Sequence, residues 1–281
     1  MTASPWLRRV VAMALEEDLG RGDLTGALCV PAETGARAEI VAKAAGVLAG
    51  MEAVHEVARQ VDEALLVELL LADGASVEPG AVIARVTGPG RSVLAFERTA
   101  LNFLQQLSGV ATLTRAFVER VRGTQASVVD TRKTVPGLRA LQKAAVLAGG
   151  GRNHRFGLFD AILIKDNHLR LAGGVANALA MAKAGAPFMA RIEVEVTTPE
   201  DAELAARLGA DVIMLDNMDP ATARESVSRI GGRALTEISG GIRLDTIRSY
   251  AELGVDLISV GALTHSAPAL DLSLEVIEWS P

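Results

Sequence analysis

From residue 127 onward, short apolar runs alternate with helical patterns, and this alternation constrains the fold more than any other feature of the chain. Runs of strand length, apolar or alternating, sit at residues 127–130, 161–165, 191–196, 212–215, 234–238 and 257–260. Between them apolar positions recur at three-to-four spacing over 138–147, 176–184, 200–208, 221–230 and 244–253. Parallel strands are joined by crossovers, usually helices, so these repeats predict a parallel sheet with helices packed outside it. The strand ends decide which kind of sheet. At or just past them stand Asp130 with Arg132 and Lys133, then Lys165, Glu195, Asp216, Ser239 and Gly261. An open doubly wound sheet binds its ligand at one switch point and leaves distant strand ends without chemistry. A barrel brings every C-terminal end to one mouth. Polar or glycine ends on all six strands therefore predict an α/β barrel, and six strands where eight would close the circle predict an open one.

The first third of the chain mixes element types. An amphipathic helix at 10–19 leads into a tight loop at 20–25, and strand patterns at 36–42, 65–71 and 82–87 flank a helix at 51–60. A long helical pattern at 94–122, with a break expected at Ser108–Gly109, bridges to the repeats.

Composition excludes several classes. Over 281 residues, 49% are hydrophobic and 22% charged, which describes a chain able to bury a core rather than a disordered one. No apolar run approaches the ~18 residues of a membrane helix, and the N-terminus has no secretory apolar stretch, so a cytoplasmic protein without membrane partners is expected. The lone Cys29 forms no internal disulfide, in keeping with a reducing compartment. A net charge of −6 argues against nucleic acid as a partner. Any anionic ligand must be met by a local basic site.

Residues 130–166 supply one. Arg132, Lys133, Arg139, Lys143, Arg152, Arg155 and Lys165 face only Asp130, Asp160 and Asp166, a surplus of four positive charges. Arg139 and Lys143, four apart on a helix, read equally well as a solvated face, whereas Arg132, Lys133 and Lys165 follow strand ends. His154 and Arg155 come after Gly149-Gly150-Gly151, which lets backbone approach a ligand closely. Glu195 and Asp216, ending neighbouring strands, suit a divalent cation bridging phosphates or the stabilisation of a developing positive charge, unless they merely cap the following helices. Ser239-Gly240-Gly241 and Val260-Gly261-Ala262 read as a phosphate cradle on the last two strands, or as plain turns. Gly88-Pro89-Gly90 lacks the third glycine of a dinucleotide loop and reads as a turn. Residues 73–84 look like half a biotinyl or lipoyl carrier without its lysine, hence a scaffold strand pair. His55, His168 and His265 have no metal-ligand spacing.

Taken in order, Glu97-Arg98-Thr99-Ala100-Leu101-Asn102, Asp130-Thr131-Arg132-Lys133-Thr134, Gly149-Gly150-Gly151-Arg152-Asn153-His154-Arg155 and Ile164-Lys165-Asp166-Asn167-His168 closely resemble the blocks of quinolinate phosphoribosyltransferases. The resemblance continues through Glu193-Val194-Glu195-Val196, Leu215-Asp216-Asn217-Met218, Glu237-Ile238-Ser239-Gly240-Gly241 and the stretch from Val260 to Ser266, and so spans nearly the whole chain. It implies an N-terminal α/β sandwich over residues 1–108 and an open α/β barrel over 109–281, with the tail packing back on the first domain. It implies the conversion of quinolinate and phosphoribosyl pyrophosphate into nicotinate mononucleotide, pyrophosphate and carbon dioxide, with Mg2+. It also implies a homodimer, or a higher oligomer built from it, with shared active sites. By that resemblance Arg132, His154, Arg155 and Lys165 hold the quinolinate carboxylates, with Arg98 from the neighbouring subunit. Lys133, Glu195 and Asp216 face ribose and pyrophosphate, the two carboxylates doubling as magnesium ligands, the two glycine turns surround the 5′-phosphate, and Thr131 is a further substrate-binding residue. Lys133, Lys165, Glu195 and Asp216 are the catalytic candidates.

Two rivals remain. A phosphoribosyltransferase of the same fold acting on another base would need fewer carboxylate-binding arginines than Arg98, Arg132 and Arg155 provide. A non-catalytic carrier or phosphate-binding module would have no use for charged ends on all six strands.

Overall fold

A computed structural model describes residues 4–280, which group into two compact units. The first holds residues up to Leu113, Val135–Gly150 and the tail from Ser266; the second holds Thr114–Thr134 and Gly151–His265.

In chain order, the first unit begins with α1 (Pro5–Leu19), α2 (Leu24–Cys29), β1 (Gly35–Ala42), β2 (Gly46–Val47), α3 (Met51–Val61), β3 (Leu66–Leu69), β4 (Ser76–Val77), β5 (Val82–Pro89) and α4 (Gly90–Val121), whose last turns fall in the second unit. Ala36, Ala38, Ile40 and Ala42 alternate inward along β1 and are buried, as a strand with one covered face requires. Residues 73–84 are not a strand pair, because Ser76–Val77 joins Gly46–Val47 while β5 lies between β1 and β3 in another sheet. Nor does α4 break at Ser108–Gly109. The Ser108 hydroxyl sits on Ala49, accepting its N–H at 3.1 Å, and a Cβ at Gly109 would overlap the Pro268 carbonyl. That glycine admits a distant segment instead of ending a helix.

The chain continues with β6 (Ser127–Val129), α5 (Arg139–Ala148), β7 (Ile162–Ile164), α6 (Asp166–Ala172), α7 (Val175–Gly185), β8 (Ile192–Val196), α8 (Pro199–Arg207), β9 (Val212–Asp216), α9 (Pro220–Ile230), β10 (Leu235–Ser239), α10 (Ile247–Ala251), β11 (Leu257–Ser259), α11 (Ala262–His265) and β12 (Leu272–Ser280). α5 belongs to the first unit, and Lys143 on it is buried, so it is no solvated face. β12 extends the first unit's sheet by pairing antiparallel with β1.

The second unit is built on a six-stranded parallel sheet in the order β6-β11-β10-β9-β8-β7. β6 and β7, adjacent among the strands in sequence, form its two edges, so the barrel is open. Starts of its helices follow from local chemistry. Thr198 caps α8 by accepting from Asp201 N–H at 3.1 Å, Asp219 caps α9 by accepting from Ala221 and Thr222 N–H at 2.8 and 3.1 Å, and each has proline at the first helical position. Along the strands Val194, Ile213, Leu215, Ile238 and Ile258 are fully buried, each worth about 1.5–3 kcal/mol. The alternate positions Leu163, Glu195, Met214, Asp216, Glu237, Ser239 and Ser259 line the mouth.

Candidate active site

The strand ends enclose a cavity of about 560 Å³ lined by Thr131, Arg132, Lys133, His154, Arg155, Lys165, Glu195, Asp216, Ser239, Gly240 and Gly241. The cationic, acidic and glycine groups singled out in the sequence therefore meet in one place. Val260-Gly261-Ala262 follow β11 beside it, and a Cβ on Gly261 would come to 3.1 Å from Lys133 Cδ, so that turn borders the same lysine. Arg98 lies on α4 in the first unit, its side chain more than half exposed, and does not line this cavity.

Each wall is set by backbone bonding. Thr131 Oγ1 accepts from Lys133 N–H at 3.0 Å and the Lys133 carbonyl accepts the Thr264 hydroxyl at 2.7 Å, which fixes the loop after β6. Buried Asp130 accepts His154 N–H at 2.8 Å, joining that loop to the segment before β7. Arg155 donates from Nη1 to the Ala161 carbonyl at 3.1 Å, while its Nε is buried without an acceptor. Burial and the neighbouring Arg132 hold Arg155 below the usual guanidinium range, against the opposing pull of Glu193 and Asp160. A cation so placed calls for an anion. Lys165 Nζ donates to Glu195 Oε2 at 2.5 Å, and its backbone N–H donates to His168 Nδ1 at 2.9 Å, so His168 caps α6.

Asp216 and Asn217 form the opposite wall. Asn217 has φ +53°, the one left-handed non-glycine backbone among the described residues. In that conformation its N–H donates to the Ser239 carbonyl at 2.9 Å and its side-chain amide donates to Asp216 Oδ2 at 2.7 Å. Gly240, at φ +94°, lies so close that a Cβ there would overlap the Asn217 amide. The Asp-Asn and Gly-Gly turns thus interlock, and Asn217 holds one oxygen of Asp216 in a fixed direction.

Two wall residues were not anticipated from sequence. Glu193 on β8 and Glu237 on β10 are buried one pleat below Glu195 and Ser239, and His154 Nε2 lies 3.0 Å from Glu193 Oε2 and 3.6 Å from Glu237 Oε2. Counting back two residues from a functional strand end finds both.

The family descriptions "Quinolinate phosphoribosyl transferase, N-terminal domain" and "C-terminal domain" match residues 23–108 and 110–275. A protein of Bacillus subtilis (strain 168) named probable nicotinate-nucleotide pyrophosphorylase [carboxylating] is 44% identical over 270 residues, covering 96% of this chain and 93% of its own. The crystal structure of NadC from Streptococcus pyogenes superposes with a TM-score of 0.93 at 40% identity, covering 99% of this chain and all of the other. The nicotinate-nucleotide pyrophosphorylase from Francisella tularensis gives a TM-score of 0.93 at 39% identity, covering 99% and 98%.

Proposed function

The chain belongs to the quinolinate phosphoribosyltransferase family and makes nicotinate mononucleotide, pyrophosphate and carbon dioxide from quinolinate and phosphoribosyl pyrophosphate in NAD biosynthesis, and we propose how its mouth divides that work. The observation that carries the reading is the meeting of Arg132, Arg155 and Lys165 with Glu195 and Asp216 in one cavity. Arg132, Arg155 and Lys165 hold the two quinolinate carboxylates, with His154 on the same wall; arginine suits them because its fork is bidentate. Arg98 of a second copy completes the site in a homodimer. Thr131, Lys133, Glu195 and Asp216 face ribose and pyrophosphate, and the turns at Ser239-Gly240-Gly241 and Val260-Gly261-Ala262 offer backbone N–H groups to the 5′-phosphate.

The residues act mainly by position and charge. Orientation sets the pyridine nitrogen against the anomeric carbon as the bond to pyrophosphate breaks. Ribose then carries positive charge, and a carboxylate from Glu195 or Asp216 facing it supplies stabilisation on the scale of about 2.7–4 kcal/mol for one preorganised group. Once ribose sits on nitrogen, the ring is cationic. The C2–carboxylate bond breaks, its electron pair stays on C2 beside the positive nitrogen, carbon dioxide leaves and a proton takes its place.

Glu195 and Asp216 fit magnesium, since two hard carboxylates with neighbouring substrate phosphates are what that ion takes, and there it would neutralise pyrophosphate charge. The cytoplasmic reading rests on the single exposed Cys29, and no helix among the described residues is long and apolar enough to cross a membrane. Titration calorimetry of quinolinate into wild type and Arg132→Ala tests the assignment. Loss of binding by a folded variant supports it, and unchanged affinity would move the carboxylate site away from Arg132.

A further inference from the structure

Beneath the cationic wall lies a group that the division of work above leaves unused. Glu237 is fully buried at the centre of the barrel, where β/α barrels normally stack apolar side chains. Facing it are Glu193 from β8, the His154 ring from the segment before β7, Met214 from β9 and Ser259 from β11. Arg155 lies within electrostatic reach of Glu193. The nitrogen and carboxylate oxygens of His154, Glu193 and Glu237 all lie within 4.8 Å of one another. Yet neither oxygen of Glu237 finds a hydrogen-bond donor, since the Ser259 hydroxyl beside it donates to the Ile238 carbonyl at 3.3 Å, and one oxygen of Glu193 is in the same state.

A buried carboxylate with no donor on either oxygen, beside a second carboxylate with one oxygen bare, costs several kcal/mol, more than the fold tolerates unless a charge is removed. Either a cation sits among the three side chains or one carboxyl carries a proton. The His154 ring favours the proton. Its Nδ1 accepts from Arg155 N–H at 2.8 Å, so the ring hydrogen is on Nε2 and points to Glu193 at 3.0 Å. A ring nitrogen carrying hydrogen is not a metal ligand. Glu193 receives that hydrogen and lies within reach of the Arg155 guanidinium, whereas Glu237 has neither and is the carboxyl that keeps a proton.

We propose that Glu237 is a positioning residue that donates a retained proton to Glu193, fixes the His154 ring through it, and so couples quinolinate binding to one proton. With the proton in place the acceptor-only contact between the carboxyls becomes a hydrogen bond, and the line Glu237, Glu193, His154 keeps the ring against the wall. Without it a second negative charge lies under the arginines and opposes a dicarboxylate. The direction agrees with the electrostatics: burial first, and then the Glu193 charge, push Glu237 up to about 8, with His154 opposing. Quinolinate brings further negative charge, which raises Glu237 again when it binds. Affinity is therefore full below that value and falls as pH rises through it, by up to about tenfold per pH unit for one proton.

This inference rests on the quinolinate assignment made above, and one experiment separates the two. Quinolinate is titrated calorimetrically into wild type and Glu237→Gln at about pH 6.5 and about pH 9, in buffers of different ionisation enthalpy. Glutamine keeps the shape and an N–H for Glu193 but cannot titrate. The expected result is uptake of close to one proton by wild type at the higher pH and none at the lower, with about tenfold weaker binding at high pH, and no uptake and no slope in the variant. The wild-type uptake stands as a test even if the variant does not fold. Binding by wild type without proton uptake overturns the proposal while leaving the quinolinate assignment intact, as does an identical slope in both proteins. One tightly held equivalent of Zn2+ lost in Glu237→Gln overturns it in favour of a metal site. Absence of quinolinate binding at every pH removes the assignment and the proposal together.

Discussion

Replacing Arg155 by glutamine should separate binding from stability, because the free protein gains little from this guanidinium. Its Nη1 makes one hydrogen bond, to the Ala161 carbonyl at 3.1 Å, and hydrogen bonds from charged groups contribute about 1.5–3 kcal/mol. Against this stand a buried Nε with no acceptor, costing about 1–3 kcal/mol, and burial with repulsion from Arg132, which together outweigh the pull of Glu193 and Asp160. The two sides offset, so Arg155→Gln should change the unfolding free energy by no more than about 1 kcal/mol in either direction. Binding is different. Losing a bidentate carboxylate contact costs about 1.5–3 kcal/mol, or about 10- to 150-fold in the quinolinate dissociation constant. Urea denaturation gives the first quantity and titration calorimetry the second. A variant destabilised by more than about 3 kcal/mol that still binds quinolinate within about twofold of wild type would refute the reasoning, because Arg155 would then be a structural group whose partners had been misjudged.

Asn217→Gly should keep the left-handed turn but free Asp216, lowering kcat by about tenfold with little change in stability, whereas Asn217→Val adds strain of order 1–3 kcal/mol and should lower the melting temperature as well. Equal loss of stability in both variants would count against a role for the amide. Glu195→Gln and Asp216→Asn should each lower kcat and kcat/KM together by on the order of 10²-fold, non-additively in the double variant, and near-normal single-turnover rates would remove both from the chemical step. Mixing inactive Arg98→Ala with inactive Lys165→Ala protein under subunit exchange should restore part of the activity, since one hybrid mouth has both wild-type residues. Proven heterodimers without activity would remove Arg98 from the partner's site.

The barrel was legible because its strands announce themselves twice, by apolar runs between helical patterns and by what stands after each run. Lys165, Glu195, Asp216 and Ser239 needed no long-range information to be found, since a parallel sheet delivers every C-terminal end to the same side. Glu193 and Glu237 are not legible in the sequence because a glutamate inside a strand pattern reads as an outward position until the register is known. Asn217 was hidden for another reason: its significance lies in a backbone angle and in Gly240, a residue on a different strand end. Long-range pairing explains the remaining misses. Nothing near Gly109 in sequence tells that Pro268 will lie against it, and although the resemblance implies that the tail packs back on the first domain, its pairing with β1 comes only from the fold.

Carbon dioxide released from quinolinate labelled in the 2-carboxylate tests the central claim most directly. Labelled carbon dioxide should appear only when phosphoribosyl pyrophosphate and magnesium are both present, in equal amounts with nicotinate mononucleotide and pyrophosphate, and should be lost in Arg132→Ala. Release of label without phosphoribosyl pyrophosphate, or a ribosylated base that keeps both carboxylates, would contradict the account.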